Sequence, residues 1–356
     1  MEIESFAKHL ITLAHSFETS DIHILPEENH YAAYYRLHGR MERQFYLDMD
    51  EGARLISYFK FVANMDVGEH RKPQSGSLNF ELESKMIDLR FSTITNYHSR
   101  ESLVIRLLKQ KSQEDLKTGS YFEYELALLN KLIAFKSGLI LFSGPVDSGK
   151  TTTIYQLVKN RIREEKQQVV TVEDPVEIHE EQFLQTEVNE KAGITYEHLL
   201  KSSLRHHPDI LIVGEIRDEE TAKMVIRGAL TGHLIIASVH AKNSRGVIPR
   251  MMELGISKEL LSQTIIGIVF QKLLPLSCPF CEQACHPQCK SILNIQKRAA
   301  LFEVLSGSIL QQVLSAHKEV VQEQTDSANR DFNHLLKKVR LCGYISEKTY
   351  EQYLIP

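Results

Sequence analysis

The sequence predicts an α/β protein, with a helix-flanked sheet in its second half and a smaller α+β unit before it. Short β-branched apolar runs at 138–143, 169–172, 209–213 and 234–239 interleave with helical segments at 121–135, 150–163 and 219–230, the order that lays helices against a sheet. In the first half, residues 3–17 carry apolar side chains at helical spacing. Strand-like runs follow at 22–24 and 31–37, then a helix at 49–65 and a hairpin-like pair at 77–82 and 86–93. Between the halves, 110–118 is polar and charged without periodicity, which reads as a linker. From 296 onward, Leu301, Val304, Leu305, Leu310, Val313 and Leu314, then Leu335, Leu336 and Val339, follow helical spacing and predict a helical C-terminal appendage. The expected boundaries are an N-terminal domain at 1–109, a linker at 110–120, an α/β domain at 121–295 and the helical region at 296–356.

A chain of 356 residues exceeds one average domain, and 42% apolar with 25% charged residues excludes a disordered or fibrous protein. The net charge of -4 argues against wholesale electrostatic capture of nucleic acid, so any role with DNA is expected to be indirect. No basic and apolar leader is visible at residues 1–10, which predicts a chain that stays inside the cell. Apolar stretches such as 139–142 and 234–239 fall far below the ~20 residues a membrane-spanning helix needs, so membrane attachment would need a partner.

The most informative segment is Gly144-Pro145-Val146-Asp147-Ser148-Gly149-Lys150-Thr151, which fits G-x-x-x-x-G-K-[ST] between an expected buried strand and an expected helix. Its glycines let the backbone curl so that N–H groups converge on phosphate oxygens. Lys150 adds positive charge, Thr151 offers a hydroxyl to Mg²⁺, and Thr152 completes the expected nucleotide-contacting set. ATP, ahead of GTP, is the implied ligand; a chance match in a glycine-containing turn is the bland alternative. Residues 207–215 form an apolar strand ending in Glu215, where a carboxylate can orient an attacking water or order Mg²⁺. Between them, Thr171-Val172-Glu173-Asp174-Pro175-Val176-Glu177 gathers three carboxylates, which suits Mg²⁺ and water handling or, equally, a solvated charged turn.

Together these segments resemble the secretion ATPases of type II secretion, type IV pili and DNA-uptake machines. The acidic box resembles 171–177, the second acidic motif resembles Leu204-Arg205 through Gly214-Glu215-Ile216-Arg217-Asp218, and the histidine box resembles Thr231-Gly232-His233 through His240. The N-terminal half adds Ser20-Asp21-Ile22-His23-Ile24 and Arg36-x-x-Gly39. The resemblance implies a RecA-like nucleotide-hydrolase core behind a small PAS-like α+β domain. It further implies that Glu215 is the catalytic carboxylate, that Glu173 assists at Mg²⁺ and water, and that His233 and His240 sense nucleotide, although by spacing either histidine could be structural. Arg90 and Arg106 occupy the places of arginines that the family's N-terminal domain supplies to the phosphates; surface ion pairs are the alternative. Ala241-Lys242 and Arg100-Glu101-Ser102 depart from the family pattern.

Cys278, Cys281, Cys285 and Cys289 supply four soft ligands for a tetrahedral Zn²⁺ site, His286 is a fifth candidate, and a reduced, metal-free cluster is the alternative. The fifth cysteine, Cys342, is expected to be a buried apolar filler. Cysteines in this region resemble assembly-type members of the family, in a compact version like the competence pseudopilus motors of Gram-positive bacteria. That resemblance implies a homo-hexamer at the inner face of the cell membrane, an integral membrane assembly-platform partner, and pilin-like subunits reached indirectly. The rival readings are service in type II secretion or type IV pilus dynamics, a P-loop kinase, a RecA-like DNA-stimulated ATPase, and a scaffold that binds ATP without turnover.

Overall fold

The computed structural model describes residues 2–17, 19–37, 40–82, 85–108, 119–189, 192–277, 298–315 and 331–355, which fall into two compact units, one N-terminal and one C-terminal. The expected linker lies outside the described residues apart from Gly119 and Ser120, which pair with Ala300.

In the N-terminal unit six strands form an antiparallel sheet ordered β3 (Arg40–Leu47), β2 (Tyr31–Leu37), β1 (Asp21–Pro26), β6 (Glu101–Leu108), β5 (Lys85–Thr95) and β4 (Gln74–Leu82). Alternate residues Ile22, Ile24, Tyr35, Leu89 and Ile105 face one core, which they share with residues of α1 (Ile3–Ser16) and α2 (Met49–Val62). The period of two turns the intervening polar residues to the opposite face. A capping box starts α2: Asp48 accepts from the Glu51 N–H at 2.7 Å, and Glu51 accepts from the Asp48 N–H at 3.2 Å. Lys60 is wholly buried, with Nζ 2.7 Å from Glu101 Oε1, while His70 Nδ1 lies 2.7 Å from the other Glu101 oxygen. Glu101, in the segment that departs from the family pattern, therefore serves an internal ion pair.

The C-terminal unit is built on a seven-stranded sheet ordered β13 (Arg298–Ser306), β12 (Ile265–Pro275), β7 (Gly138–Ser143), β11 (Leu234–Val239), β10 (Ile210–Val213), β8 (Val169–Glu173) and β9 (Leu184–Glu187). All neighbours run parallel except β13, which is antiparallel to β12. Leu139 and Leu141 of β7 join a core with α6 (Glu219–Leu230), whereas Ile140 and Phe142 join one with α3 (Glu123–Ile133) and α4 (Lys150–Glu164). Cover on both faces explains why the strand reads as an unbroken apolar run. The remaining helices are α5 (Tyr196–Ser203), α7 (Val247–Glu253), α8 (Lys258–Thr264), α9 (Gly307–Ser315), α10 (Phe332–Leu341) and α11 (Glu347–Tyr353).

Two sequence expectations are corrected. Residues 298–306 are strand, not the start of the helical appendage; Ala299, Leu301, Phe302 and Leu305 are all buried, and every residue of β13 is in register with β12. Alanine, leucine and glutamate favour a helix locally, but this long-range pairing decides the outcome. Cys342 is exposed rather than a core filler, because α10 ends at Leu341 and the chain turns through Gly343 at φ +75° before the buried stripe Phe332, Leu335, Leu336 and Val339 can extend. Among the described residues no helix is long and apolar enough to cross a membrane.

Glu303, in the middle of β13, is buried and accepts the Ser244 N–H at 3.2 Å. Burial raises its pKa, with Asp331 acting in the same direction and the Ser244 hydrogen bonds and Arg245 against it. A carboxyl whose folded pKa exceeds its unfolded value holds its proton longer in the native state, so stability falls as pH rises above about 4.5 and through the folded pKa. Glu303→Gln keeps the acceptor without the charge. It is expected to raise the melting temperature by ~1–3 °C at pH 8 relative to the native sequence, with that advantage gone near pH 4 in thermal scans.

Candidate functional site

Parallel register places the C-terminal ends of β7, β11, β10 and β8 side by side: Ser143 pairs with Val239, Ala237 with Val213, and Val213 with Val172. Loops leaving this edge form the site, the usual place for ligands in such sheets. After β7 the chain turns through Gly144 at φ +148° and reaches α4 through Gly149 at φ +80°. A Cβ at Gly144 would sit 2.2 Å from the Gln271 carbonyl oxygen, and one at Gly149 would sit 3.2 Å from Gln271 Nε2. Gln271, wholly buried on β12, donates its amide to the Ser148 carbonyl at 2.8 Å and forms the floor of the loop. The buried Ser148 hydroxyl has no hydrogen-bond partner among the described residues. Pro145 and Val146 lead to the outer part of the loop, where Val146 is exposed, and Asp147 adopts φ +60°.

Lys150 opens α4 and donates to the carbonyls of Gly144 and Pro145 at 3.0 Å each. Its pKa is lowered by burial, with the Glu215 and Glu177 carboxylates opposing that shift. Thr151 donates its hydroxyl to Glu177 Oε2 at 3.0 Å, and Thr152 follows, half-buried, on the same helix. At the end of β8, Glu173 is buried and accepts from the Tyr155 hydroxyl at 2.5 Å, while Gln185 donates to that hydroxyl at 2.9 Å. Burial raises the Glu173 pKa against these hydrogen bonds.

Glu215 follows β10, and its two oxygens have different partners: Arg217 Nε at 2.6 Å and His240 Nε2 at 2.8 Å. Arg217 also reaches Asp174 at 3.0 Å, joining the two acidic segments. Lys150, Thr151, Tyr155, Glu173, Gly214 and Ser238 line one cleft. This donor set fits a polyphosphate and a hard cation: a glycine cradle that a Cβ would fill, an ammonium, a hydroxyl, and carboxylate oxygens of the kind Mg²⁺ prefers.

Within the C-terminal unit, not every candidate converges here. His233 lies before β11, at the opposite end of that strand from His240, and contacts Thr231 Oγ1 at 3.2 Å and the Gly228 carbonyl at 3.3 Å. Arg90 and Arg106 belong to the N-terminal unit, where they are cross-strand partners on the polar face of its sheet. Arg106 bonds Asp21 at 2.9 Å, and Arg36, also opposite Asp21, lies 3.8 Å from it. Gly39 and the candidate zinc ligands Cys278, Cys281, Cys285, His286 and Cys289 lie outside the described residues. No group of three or more His, Cys, Asp or Glu side chains that could hold a metal occurs among the described residues.

Gln271 and Tyr155 join the site although no motif in the sequence marks them, and Arg217, quoted within the second acidic motif, gains its role only from its contacts with Glu215 and Asp174. Tyr155 carries a usable signal, lying four residues after Thr151 on one helix face. Gln271 carries none, because it reaches the loop only through the pairing of β12 with β7.

The chain matches the family model described as Type II/IV secretion system protein over residues 1–350. It is 39% identical over 353 residues to Competence protein ComGA of Bacillus subtilis (strain 168), covering 99% of this chain and 98% of that one. Competence protein ComGA of Streptococcus pneumoniae is 42% identical over 272 residues, 76% of this chain and 85% of its own length. Among solved structures, the Legionella pneumophila ATPase DotB superposes with a TM-score of 0.71 at 19% identity, covering 98% of this chain and 95% of that one. That likeness extends the fold, a RecA-like α/β core with a small α+β domain before it, across nearly the whole chain. On this sequence match and this fold, the chain belongs to the type II/IV secretion system protein family.

Proposed function

We propose that this chain is an ATP-hydrolysing motor subunit that powers assembly of a competence-type pseudopilus for DNA uptake. The observation that carries the reading is the meeting, on one sheet edge, of a glycine cradle with Lys150 and Thr151 and of a carboxylate, Glu215, held from both sides by Arg217 and His240. The competence part rests on the kinship to proteins named for competence.

In this reading the backbone from Gly144 to Gly149 and the Lys150 ammonium bind the phosphates, and Gln271 keeps the loop's curvature. Mg²⁺, when bound beside Thr151, Glu173 and Glu177, would neutralise charge on the phosphate oxygens. Glu215 orients the attacking water and accepts its proton; a carboxylate has about four acceptor sites, so two existing partners leave room for a water. His240 couples the Glu215 position to the loop after β11, which Ser143 ties to the start of the phosphate loop through the Ala241 N–H at 3.1 Å. Arg90 and Arg106 are assigned to the phosphates in this reading by the family resemblance alone. Six copies form a ring that passes the work of hydrolysis to an integral membrane partner.

The test is phosphate release from ATP by the purified full-length chain, with particle mass measured by light scattering. Turnover without any acceptor in a roughly hexameric particle supports the motor. A monomer that needs a second substrate would instead identify a kinase, and steep stimulation by single-stranded DNA a DNA-dependent ATPase.

A further inference from the structure

One residue of the phosphate loop works against the loop's own purpose. Asp147 places a carboxylate, 58% exposed, in the segment whose backbone is to receive phosphates. It does so at φ +60°, a left-handed conformation that glycine adopts without steric cost and that, among L residues, chiefly asparagine and aspartate tolerate. Its oxygen Oδ2 lies 3.4 Å from an Arg298 guanidinium nitrogen. Arg298 is the first residue of β13 and pairs with Pro275 of β12, so the cation is delivered from the edge of the sheet and not from the loop.

We propose that Asp147 sets nucleotide affinity by repulsion and that Arg298 masks it. The inference rests on the nucleotide reading above. A fixed negative charge in the loop weakens binding of any polyanion, and more so the greater the ligand's charge. The guanidinium offsets part of that repulsion while the pair holds, which makes affinity at the loop depend on the position of β13. Like other partly exposed electrostatic effects, this one is screened by salt.

The experiment is a set of equilibrium dissociation constants for MgATP and MgADP, measured by calorimetry on the full-length chain. The variants are Asp147→Asn, Asp147→Gly, Arg298→Ala and the double variant Asp147→Asn with Arg298→Ala, each checked for an unchanged melting temperature. Asparagine tolerates the left-handed backbone and removes only the charge. Asp147→Asn is expected to tighten MgATP about three- to tenfold at low salt, to tighten MgADP less, and to lose most of the gain in 0.5 M salt. Asp147→Gly, which also relieves the backbone, should tighten at least as much. Arg298→Ala is expected to weaken MgATP in the native background by a few-fold and by a smaller factor in the Asp147→Asn background. Folded Asp147 variants that bind as the native chain does, or more weakly, would overturn the inference while leaving the nucleotide reading intact. A native chain that binds no MgATP would overturn both.

Discussion

Glu215→Gln is expected to lose phosphate release from ATP by about 10²-fold or more while still binding nucleotide. A positioned general base contributes roughly that factor, and an amide of the same size cannot accept the proton. The substitution is gentle on structure. One oxygen remains to accept from Arg217 or His240, which stand 2.6 Å and 2.8 Å from the native carboxylate. The signature is therefore a split: turnover collapses in the steady-state assay, whereas the MgATP dissociation constant moves by less than about threefold. Equal loss of binding and turnover would mean that Glu215 organises the loop and not the water.

The second large effect is expected at Gly144. Alanine there would bring Cβ to 2.2 Å from the Gln271 carbonyl oxygen, a backbone atom on a strand paired on both sides that cannot swing aside, and to 2.9 Å from Ser148 Oγ, all at φ +148°. Strain of this kind costs about 1–3 kcal/mol from the backbone alone, and the clash adds to it. Gly144→Ala should lower the melting temperature by several degrees and weaken MgATP by more than about 10²-fold, because the loop must leave its floor to accommodate the methyl group. Gly193→Ala is the control. It shares a positive φ, +72°, but has nothing within 4 Å of the added Cβ, so it should cost only the backbone term and leave nucleotide affinity alone.

The site is legible in the sequence where its chemistry is local. The phosphate loop lies between β7 and α4 as expected, and the carboxylate after the apolar run at 210–213 stands at a strand end of the same sheet. Parallel strands covered on both faces announce themselves as short apolar runs, which is why β7, β8, β10 and β11 can be read from pattern alone. What stays hidden depends on pairing between distant segments. Strand β12 brings Gln271 beneath Gly144 across more than a hundred residues, and β13 becomes a strand only by lying against β12. Contact between Glu215 and His240 likewise needs the order β11–β10, whereas His233, two residues from Thr231 in the same motif, falls at the far end of its strand. In the N-terminal unit Arg90 and Arg106, sixteen residues apart in sequence, become neighbours through the β5–β6 register.

The most direct test of the motor reading is steady-state phosphate release from MgATP by the purified chain beside Lys150→Ala. The Lys150 ammonium sits on the cradle, bonded at 3.0 Å to the Gly144 and Pro145 carbonyls, and alanine removes its charge without altering the glycines that shape the loop. The expected result is turnover by the native chain to free phosphate with no acceptor present, and its loss to background in a variant that melts at the native temperature. Undiminished turnover in Lys150→Ala, or none in a folded, correctly assembled native chain, would contradict a motor built on this loop.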